Sequence, residues 1–467
     1  MVHVFKSKTH EDERCIFWST MFKKWKSIVS FSNTCTVAND ETQSERLFEP
    51  EEGQDMDTSF QLPYKQQNPL LIYYWVYFAY GIAMLLPWNV FITASDYFST
   101  RFAGSDYQGN FQTYFSAYFN CSNLISLAVL LWIRLKMNGL VIPLSINLVI
   151  FLFFAISSLR VPTESAAVSY FWTTIACMII TGMTTSIIQL TVFAETSQMS
   201  SKYMQAVMSG QGIAGVSVAL FSLSTTLLLN EEQRGAIATF YYFASALLVT
   251  LIAIIGRFAL SKQTSYQLLT RHAAVDTIPM TFTTNDTIRA CTTTTTTTSI
   301  GTDKSAMWDI ITQKSAVYIF VIVYIYIITL ALFPSVTVLI RSVNGIDAVT
   351  FISLHFLLFN IGDWIGRTLP IFACCQVNSS KALILISLAR TCFIPLFFSC
   401  NLKSNGTPIL LNSDIMYLIL LLLFAISNGW LTSLVFIAAP SQVNHDDKPL
   451  VGSVISFFLV VGLALGG

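Results

Sequence analysis

From about residue 70 to the end, long apolar stretches alternate with short polar ones. Eleven of these stretches approach the roughly 20 residues that a helix needs to cross a hydrocarbon core about 30 Å thick. Their spans are 70–94, 111–133, 139–159, 166–194, 204–229, 235–260, 315–340, 347–373, 381–400, 414–438 and 449–467. The pattern predicts an all-α polytopic membrane protein with 11 transmembrane helices. An odd number of crossings places the two ends on opposite sides of the membrane.

The connection at 261–314 is the only long one, and it divides the spans six and five. The expected organisation is a hydrophilic cytoplasmic tail at 1–66, a six-helix bundle at 67–260, a cytoplasmic linker at 261–314 and a five-helix bundle at 315–467. The CTTTTTTTSI run at 291–300 is of low complexity and has no apolar period to bury, which predicts a flexible linker. In the tail, Phe17, Trp18, Phe22 and Trp25 stand among Lys23, Lys24 and Lys26. That stretch reads either as a solvated tail or as a segment lying on an anionic membrane surface. No apolar core of a signal peptide precedes the first span.

Composition sharpens this picture. Of 467 residues, 54% are hydrophobic and 11% charged, against about 25% charged in a soluble domain; a single water-soluble core and a disordered chain are both excluded. The formal net charge is zero, but residues 1–66 hold eleven acidic and eight basic side chains, and the rest lie almost entirely between apolar stretches. With the N-terminus cytoplasmic, eleven Lys and Arg fall in inside connections and five in outside ones. The bias predicts a cytoplasmic N-terminus and an extracellular C-terminus. Nine cysteines form no disulfide framework, and no Cys/His cluster has metal-ligand spacing. Of the sequons at Asn120, Asn285, Asn378 and Asn405, only Asn405 lies in a loop on the predicted outer side, where it is the expected glycosylation site.

Charges inside the apolar stretches carry the most information, since each costs about 2.5 to 3.5 kcal/mol at the bilayer centre. By these spans three sit well inside: Asp363, Arg367 and Arg390. Asp363 and Arg367 are four apart, on one helix face, where each offsets the desolvation of the other. Phe356, Asn360, Asp363 and Arg367 form a stripe at i, i+4, i+7 and i+11 that must face other helices or an aqueous cavity. One reading is a structural pair that locks two helices; the other is a polar wall of a permeation path. Gly362 and Gly366 form an adjacent line with small-xxx-small spacing, which lets a neighbouring helix approach closely. Gly210, Gln211, Gly212 and Gly215 in the fifth span, Asn428, Gly429 and Ser433 in the tenth and Gln189 in the fourth complete a set of small and polar residues at mid-depth. Singly they read as packing residues, and together as helices lining a polar path.

Several motifs resemble those of the equilibrative nucleoside transporter family: LLPWNVFITASDYF in the first span, MSGQGIAG in the fifth, FPSVTV in the seventh and FNIGDWIGR in the eighth. LARTCFIPLF in the ninth, SNGWLTSL in the tenth and GSVISFFLVVGLALG in the eleventh follow in the same order. The resemblance covers residue 70 to the end, and FNIGDWIGR is its most specific part. It implies a fold similar to the major facilitator type, in a 6+5 arrangement, that moves nucleosides down their gradient by alternating access. Carried over by motif, the substrate site would hold Leu85, Trp88, Ile92, Gln189, Phe333, Phe356, Asn360, Asp363, Arg367 and Leu463. Gly210, Gly215, Gly362, Gly366, Arg390 and Asn428 would serve structure or gating. A nucleoside is neutral, with a flat base and a ribose diol, so apolar and aromatic walls with hydrogen-bonding groups at one end suit it. Asp363 can accept from ribose hydroxyls, Arg367 can donate to them and Gln189 can read a base edge, while Trp88 reads alternatively as an interface anchor.

The chain departs from the family pattern in a short connection at 95–110, a poor match through the second helix and a long N-terminal extension. It stops at Gly467 inside the eleventh span, so either that helix is short or the sequence is truncated. The expected partners are a small-molecule nucleoside and membrane lipids, with no nucleic acid polymer and no cofactor. Plasma membrane is the expected location, with nucleobases as possible further permeants. A proton-coupled transporter and a major-facilitator carrier of another small polar solute are the alternatives. The pairing of Asp363 with Arg367 favours the ionised acid and argues against a proton relay. No HExxH, GxSxG or Walker-type motif stands in context, so an enzyme is not expected.

Overall fold

The computed structural model describes residues 69–133, 139–160, 167–228, 231–263, 315–377, 379–401 and 411–466. The expected tail at 1–66, nearly all of the linker at 261–314 and the sequon at Asn405 lie outside the described residues. The chain divides at Ile72 into an N-terminal unit, described only as helix over Pro69–Ile72, and a unit from Tyr73 to Gly467 that holds everything below.

Among the described residues, eleven segments are long and apolar enough to cross a membrane, in the predicted order, six before residue 264 and five after 314. The protein is therefore an all-α integral membrane protein. The first six are α1 (Pro69–Thr93), α3 (Phe111–Ile133), α4 (Val141–Ser158), α5 (Ala167–Gln198), α6 (Ser201–Leu228) and α7 (Glu231–Ser261), with a short α2 (Ser95–Arg101) after the first. The last five are α8 (Ala316–Leu332), α9 (Ala348–Thr368), the pair α10 (Ser380–Ala389) and α11 (Phe393–Phe398), α12 (Asp414–Ala438) and α13 (Lys448–Gly466). The end at which α1 starts is called proximal here and the other distal.

Local chemistry sets several boundaries. Asp347 caps α9 by accepting from the amides of Val349 and Thr350 at 3.1 and 3.2 Å. Pro334 lacks an amide proton, and α8 gives way at extended Phe333 to a 3₁₀ turn over Thr337–Leu339, so the FPSVTV stretch expected inside one continuous span is not α-helical. The ninth span changes to a 3₁₀ turn at Arg390–Cys392 between α10 and α11. The connection at 95–110, expected as a plain loop, contains α2, because Tyr97 and Phe98 are buried and Phe98 packs against Phe91, Phe115 and Phe154.

Glycine seams bring backbones together, as their spacing predicts. A methyl group on Gly362 would strike Ala425, and one on Gly366 would strike the carbonyl of Ile426; Gly429 meets α9 in return, at the carbonyl of Asp363. Gly210 meets the carbonyl of Phe78 in α1, and Gly215 meets the side chain of Asn360.

The buried apolar residues fall into three clusters with a clear asymmetry. The largest lies toward the proximal end and draws on both sides of the 264–314 divide, joining Tyr77, Phe193 and Met204 to Tyr318, Phe436 and Ile455. Phe193 of α5 stacks on Phe436 of α12 at 4.3 Å, the one aromatic pair among the described residues that crosses the divide. Toward the distal end there are two clusters. One, from Leu86 through Phe154 to Ala246, belongs to the first six spans. The other, from Ile328 through Phe359 to Ala425, belongs to the last five.

Candidate functional site

The polar centre is built on α9, whose period places Asp363 and Arg367 one turn apart. Arg367 Nε donates to Asp363 Oδ2 at 2.6 Å. Both residues are buried, 9% and 6% exposed. The other carboxylate oxygen, Oδ1, accepts from Asn428 Nδ2 of α12 at 2.7 Å. Arg367 Nη1 donates to Gln211 Oε1 of α6 at 2.9 Å, and Nη2 reaches Tyr326 Oη of α8 at 3.5 Å. The backbone carbonyl of Arg367 accepts from Gln205 of α6 and from Ser433 of α12. One ion pair thus ties α6, from the first six spans, to three helices of the last five. A guanidinium offers five donors and a carboxylate about four lone-pair sites, so both groups keep capacity beyond these bonds.

The network continues outward from Asn428. Its Oδ1 accepts from Thr329 Oγ1 at 2.7 Å, and Thr329 Oγ1 accepts from Arg390 Nη2 at 2.8 Å. Arg390 is 1% exposed and donates through Nη1 to the Phe424 carbonyl at 3.1 Å and to Ser427 Oγ, with its guanidinium 4.5 Å over the Phe424 ring. Among the described residues no carboxylate pairs with it. Two arginines therefore share the field of a single acid, and the Thr329–Asn428 relay is their hydrogen-bonded link.

Toward the distal end the same face of α9 becomes aromatic. Phe333 stacks on Phe359 at 3.8 Å and meets Phe356 edge-on at 5.0 Å. Asn360 donates to its own helix at the Phe356 carbonyl, 2.8 Å, and lies against Gly215, while Trp364 Nε1 donates to Ser209 Oγ of α6 at 3.2 Å. The α9 stripe therefore packs against other helices through much of its length, with Phe356 and Asn360 partly exposed.

Of the remaining residues expected at the site, Trp88 stacks on Phe119 at 5.0 Å and Ile92 is exposed, both in the distal half of α1; Leu85 is partly buried. Gln189 is buried in α5, and Leu463 of α13 packs against the proximal cluster. None of these five touches the ion pair through a hydrogen bond or ring contact.

The structure also adds groups. Gln205, Tyr326 and Thr329 bond the pair or its relay, and a lone polar residue in a long apolar run leaves little trace in hydropathy. A second ion pair corrects the expectation of only three charges inside the spans. Arg257 Nη1 contacts Glu195 Oε1 and Oε2 at 3.0 and 3.1 Å, and Tyr77 Oη donates to Oε2 at 3.2 Å. Arg257, counted among the eleven basic residues of the inside connections although the span at 235–260 includes it, is 8% exposed within α7, and Glu195 lies in a fourth helix that runs past 194 to Gln198. Pairing with the acid lets the cation stay inside the helix bundle.

The profile of the family described as "Nucleoside transporter" matches residues 175–467. Equilibrative nucleoside transporter 2 of Mus musculus is 27% identical over 429 residues, covering 84% of this chain and 94% of that protein. Equilibrative nucleoside transporter 1 of Homo sapiens is 28% identical over 435 residues, with the same coverages. Among solved structures, the major facilitator superfamily proton:xylose symporter XylE aligns with a TM-score of 0.54 at 10% identity, over 85% of this chain and 86% of that one. The major facilitator superfamily transporter FucP aligns with a TM-score of 0.50 at 12% identity, over 86% and 90%. The fold is thus of the major facilitator type, and the chain belongs to the nucleoside transporter family.

Proposed function

We propose that this protein carries nucleosides across a membrane down their concentration gradient, by alternating access, with the Asp363–Arg367 pair as the ribose-binding end of the site. The observation that carries this reading is the placement of that pair: a buried, desolvated acid and base, with spare acceptors and donors, on the helix that meets α6 across the divide. A neutral solute with a diol matches such a pair, because hydroxyls both donate to a carboxylate and accept from a guanidinium without adding net charge. The partly exposed ring of Phe356, on the distal side of the pair and backed edge-on by buried Phe333, offers a face for a flat base. Gln189, with its buried amide making no hydrogen bond to a described residue, suits reading of a base edge. The names of the relatives support the same permeant class.

The core asymmetry supports an alternating cycle. The two sets of spans share one apolar cluster toward the proximal end and have separate ones toward the distal end, which is the arrangement of a carrier closed on one side and parted on the other. With the N-terminus cytoplasmic, the parted side is extracellular, the loop bearing Asn405 is available for glycosylation there, and the plasma membrane is the site of action.

The test is uptake of radiolabelled uridine and adenosine into transport-deficient cells expressing the full chain, with an imposed pH gradient and with nucleobases in the same panel. The expected result is saturable uptake that stops at the external concentration whatever the gradient. Accumulation above that level overturns the uniport reading in favour of proton coupling, and competition by glucose without competition by inosine overturns the permeant class.

A further inference from the structure

The turn after α9 holds two adjacent cysteines, Cys374 and Cys375, that no part of the transport site uses. Successive side chains on an extended strand point to opposite faces. Here Ala373–Cys375 is a 3₁₀ turn instead, and the two sulfurs come to the same side, 3.8 Å apart. A tetrahedral centre with sulfur bonds of about 2.3 Å spans its two sulfurs by about 3.8 Å, so the pair already has the bite of a chelate. A pyramidal trivalent arsenic centre asks only for a small further approach. Access is open: Cys374 is exposed, Cys375 is partly exposed, and the eighth span ends before them at Ile371.

The turn is also wired to the polar centre. The carbonyl of Cys375 accepts from Trp430 Nε1 of α12 at 2.8 Å. Trp430 follows Gly429, which packs on the Asp363 carbonyl, and its own amide lies against Gly366 of α9. Gln376 Nε2 closes the turn on the Pro370 carbonyl at 2.9 Å. A clasp on the two sulfurs therefore stiffens the proximal end of the helix that carries Arg367, next to its seam with α12.

We propose that Cys374 and Cys375 form a two-thiol site for a thiophilic centre of the trivalent arsenical class, and that occupancy holds the transporter in its proximally closed form. The second half of this statement rests on the alternating-access reading above; the first does not. With phenylarsine oxide as the probe, both thiols add to arsenic. Two As–S bonds form, the As–O bond breaks, the two thiol protons leave with that oxygen as water, and no atom changes oxidation state.

The experiment uses the full-length protein in proteoliposomes, with wild type, Cys374→Ser, Cys375→Ser and the double variant compared by mass spectrometry and by uridine uptake. The expected result is one phenylarsenic adduct bridging Cys374 and Cys375, absent from all three variants and removed by 2,3-dimercaptopropanol but not by a monothiol. Uptake by the wild type falls by about fivefold or more on labelling, while the variants transport normally with and without the probe. An adduct that persists in the double variant, or no adduct on the wild type, overturns the site. A bridged adduct with unchanged wild-type uptake overturns the conformational half and leaves the chemical half standing. If unlabelled wild type moves no uridine, the transport reading fails and the conformational half with it, while the mapped adduct still decides the site.

Discussion

Two carboxylate–guanidinium pairs sit among these helices, and the difference between them lies in what they connect. Glu195 of α5 bonds Arg257 of α7 and Tyr77 of α1, and these bonds lie within the first six spans. Asp363 and Arg367 belong to one helix turn, yet their remaining valences go to α6, α8 and α12, on both sides of the divide. Side-chain exposure is similar, 10% and 18% for the first pair against 7% and 12% for the second, in base-then-acid order. Burial alone does not tell them apart. Bonds that lie within one set of helices, as those of Glu195 to Arg257 and Tyr77 do, can remain intact while the two sets rock, and so act as scaffold. Under the alternating-access cycle proposed above, a pair whose partners lie on both sets has bonds that the cycle must exchange, and a permeant with hydroxyl groups can take the vacated positions.

The sharpest way to break this contrast is at Arg367. Arg367→Ala leaves Asp363 buried with only Asn428 to hold it, and removing one partner of a buried pair costs about 3–5 kcal/mol. Uridine uptake should fall by about 100-fold or more at unchanged surface expression. Arg367→Lys keeps the charge but loses the planar fork that reaches Asp363, Gln211 and Tyr326 together, so it should still cost about tenfold in Vmax/KM. Normal kinetics in the Lys variant would mean that a point charge suffices, and the hydroxyl-recognition reading would fail.

How much of this was legible in the sequence follows from which features hydropathy can register. Asp363, Arg367 and Arg390 stood out because each interrupts a long apolar run, and Gly362 and Gly366 because four-residue spacing on a helix fixes a face. Thr329 and Tyr326 did not, since a single hydroxyl barely changes a window of twenty apolar residues and its bond partner lies on a helix far away in the sequence. Glu195 was misplaced for a different reason. A charge just past the end of an apolar run reads as a loop, and its bonds to Arg257 of α7 and Tyr77 of α1 lie on helices far away in the sequence. The short α2 escaped because seven residues are too few to show a period, although Tyr97, Phe98 and Phe102 are anchored by an aromatic cluster assembled from distant segments.

A finer cut falls on the relay between the two arginines. Thr329→Val preserves shape and removes the hydroxyl, so Asn428 Oδ1 and Arg390 Nη2 each lose a partner while Asp363 and Arg367 stay in place. Hydrogen bonds of this kind contribute about 0.5–1.5 kcal/mol net, which predicts a two- to tenfold rise in KM for uridine. Thr329→Ser restores the hydroxyl and should bring KM back to near the wild-type value. If both variants behave alike, Thr329 contributes packing only, and Arg390 has no hold on Asp363 through Asn428.

The smallest effect on transport is expected at the other pair, and it tests the scaffold half of the contrast. Glu195→Gln keeps an oxygen for Arg257 and Tyr77 but removes the negative charge that this bond sets against the buried guanidinium. The loss should appear as stability, about 1–3 kcal/mol, read as a lower thermal midpoint of the purified protein in detergent. KM for uridine should stay within about twofold, because the bonds lost lie inside one set of helices and are not remade during the cycle. The double variant Glu195→Gln with Thr329→Val should then show additive changes, as expected for sites without shared partners. Strong coupling between the two in uptake would mean that α5 and α7 shift against each other as the carrier turns over, and the distinction between a scaffold pair and a working pair would have to be abandoned.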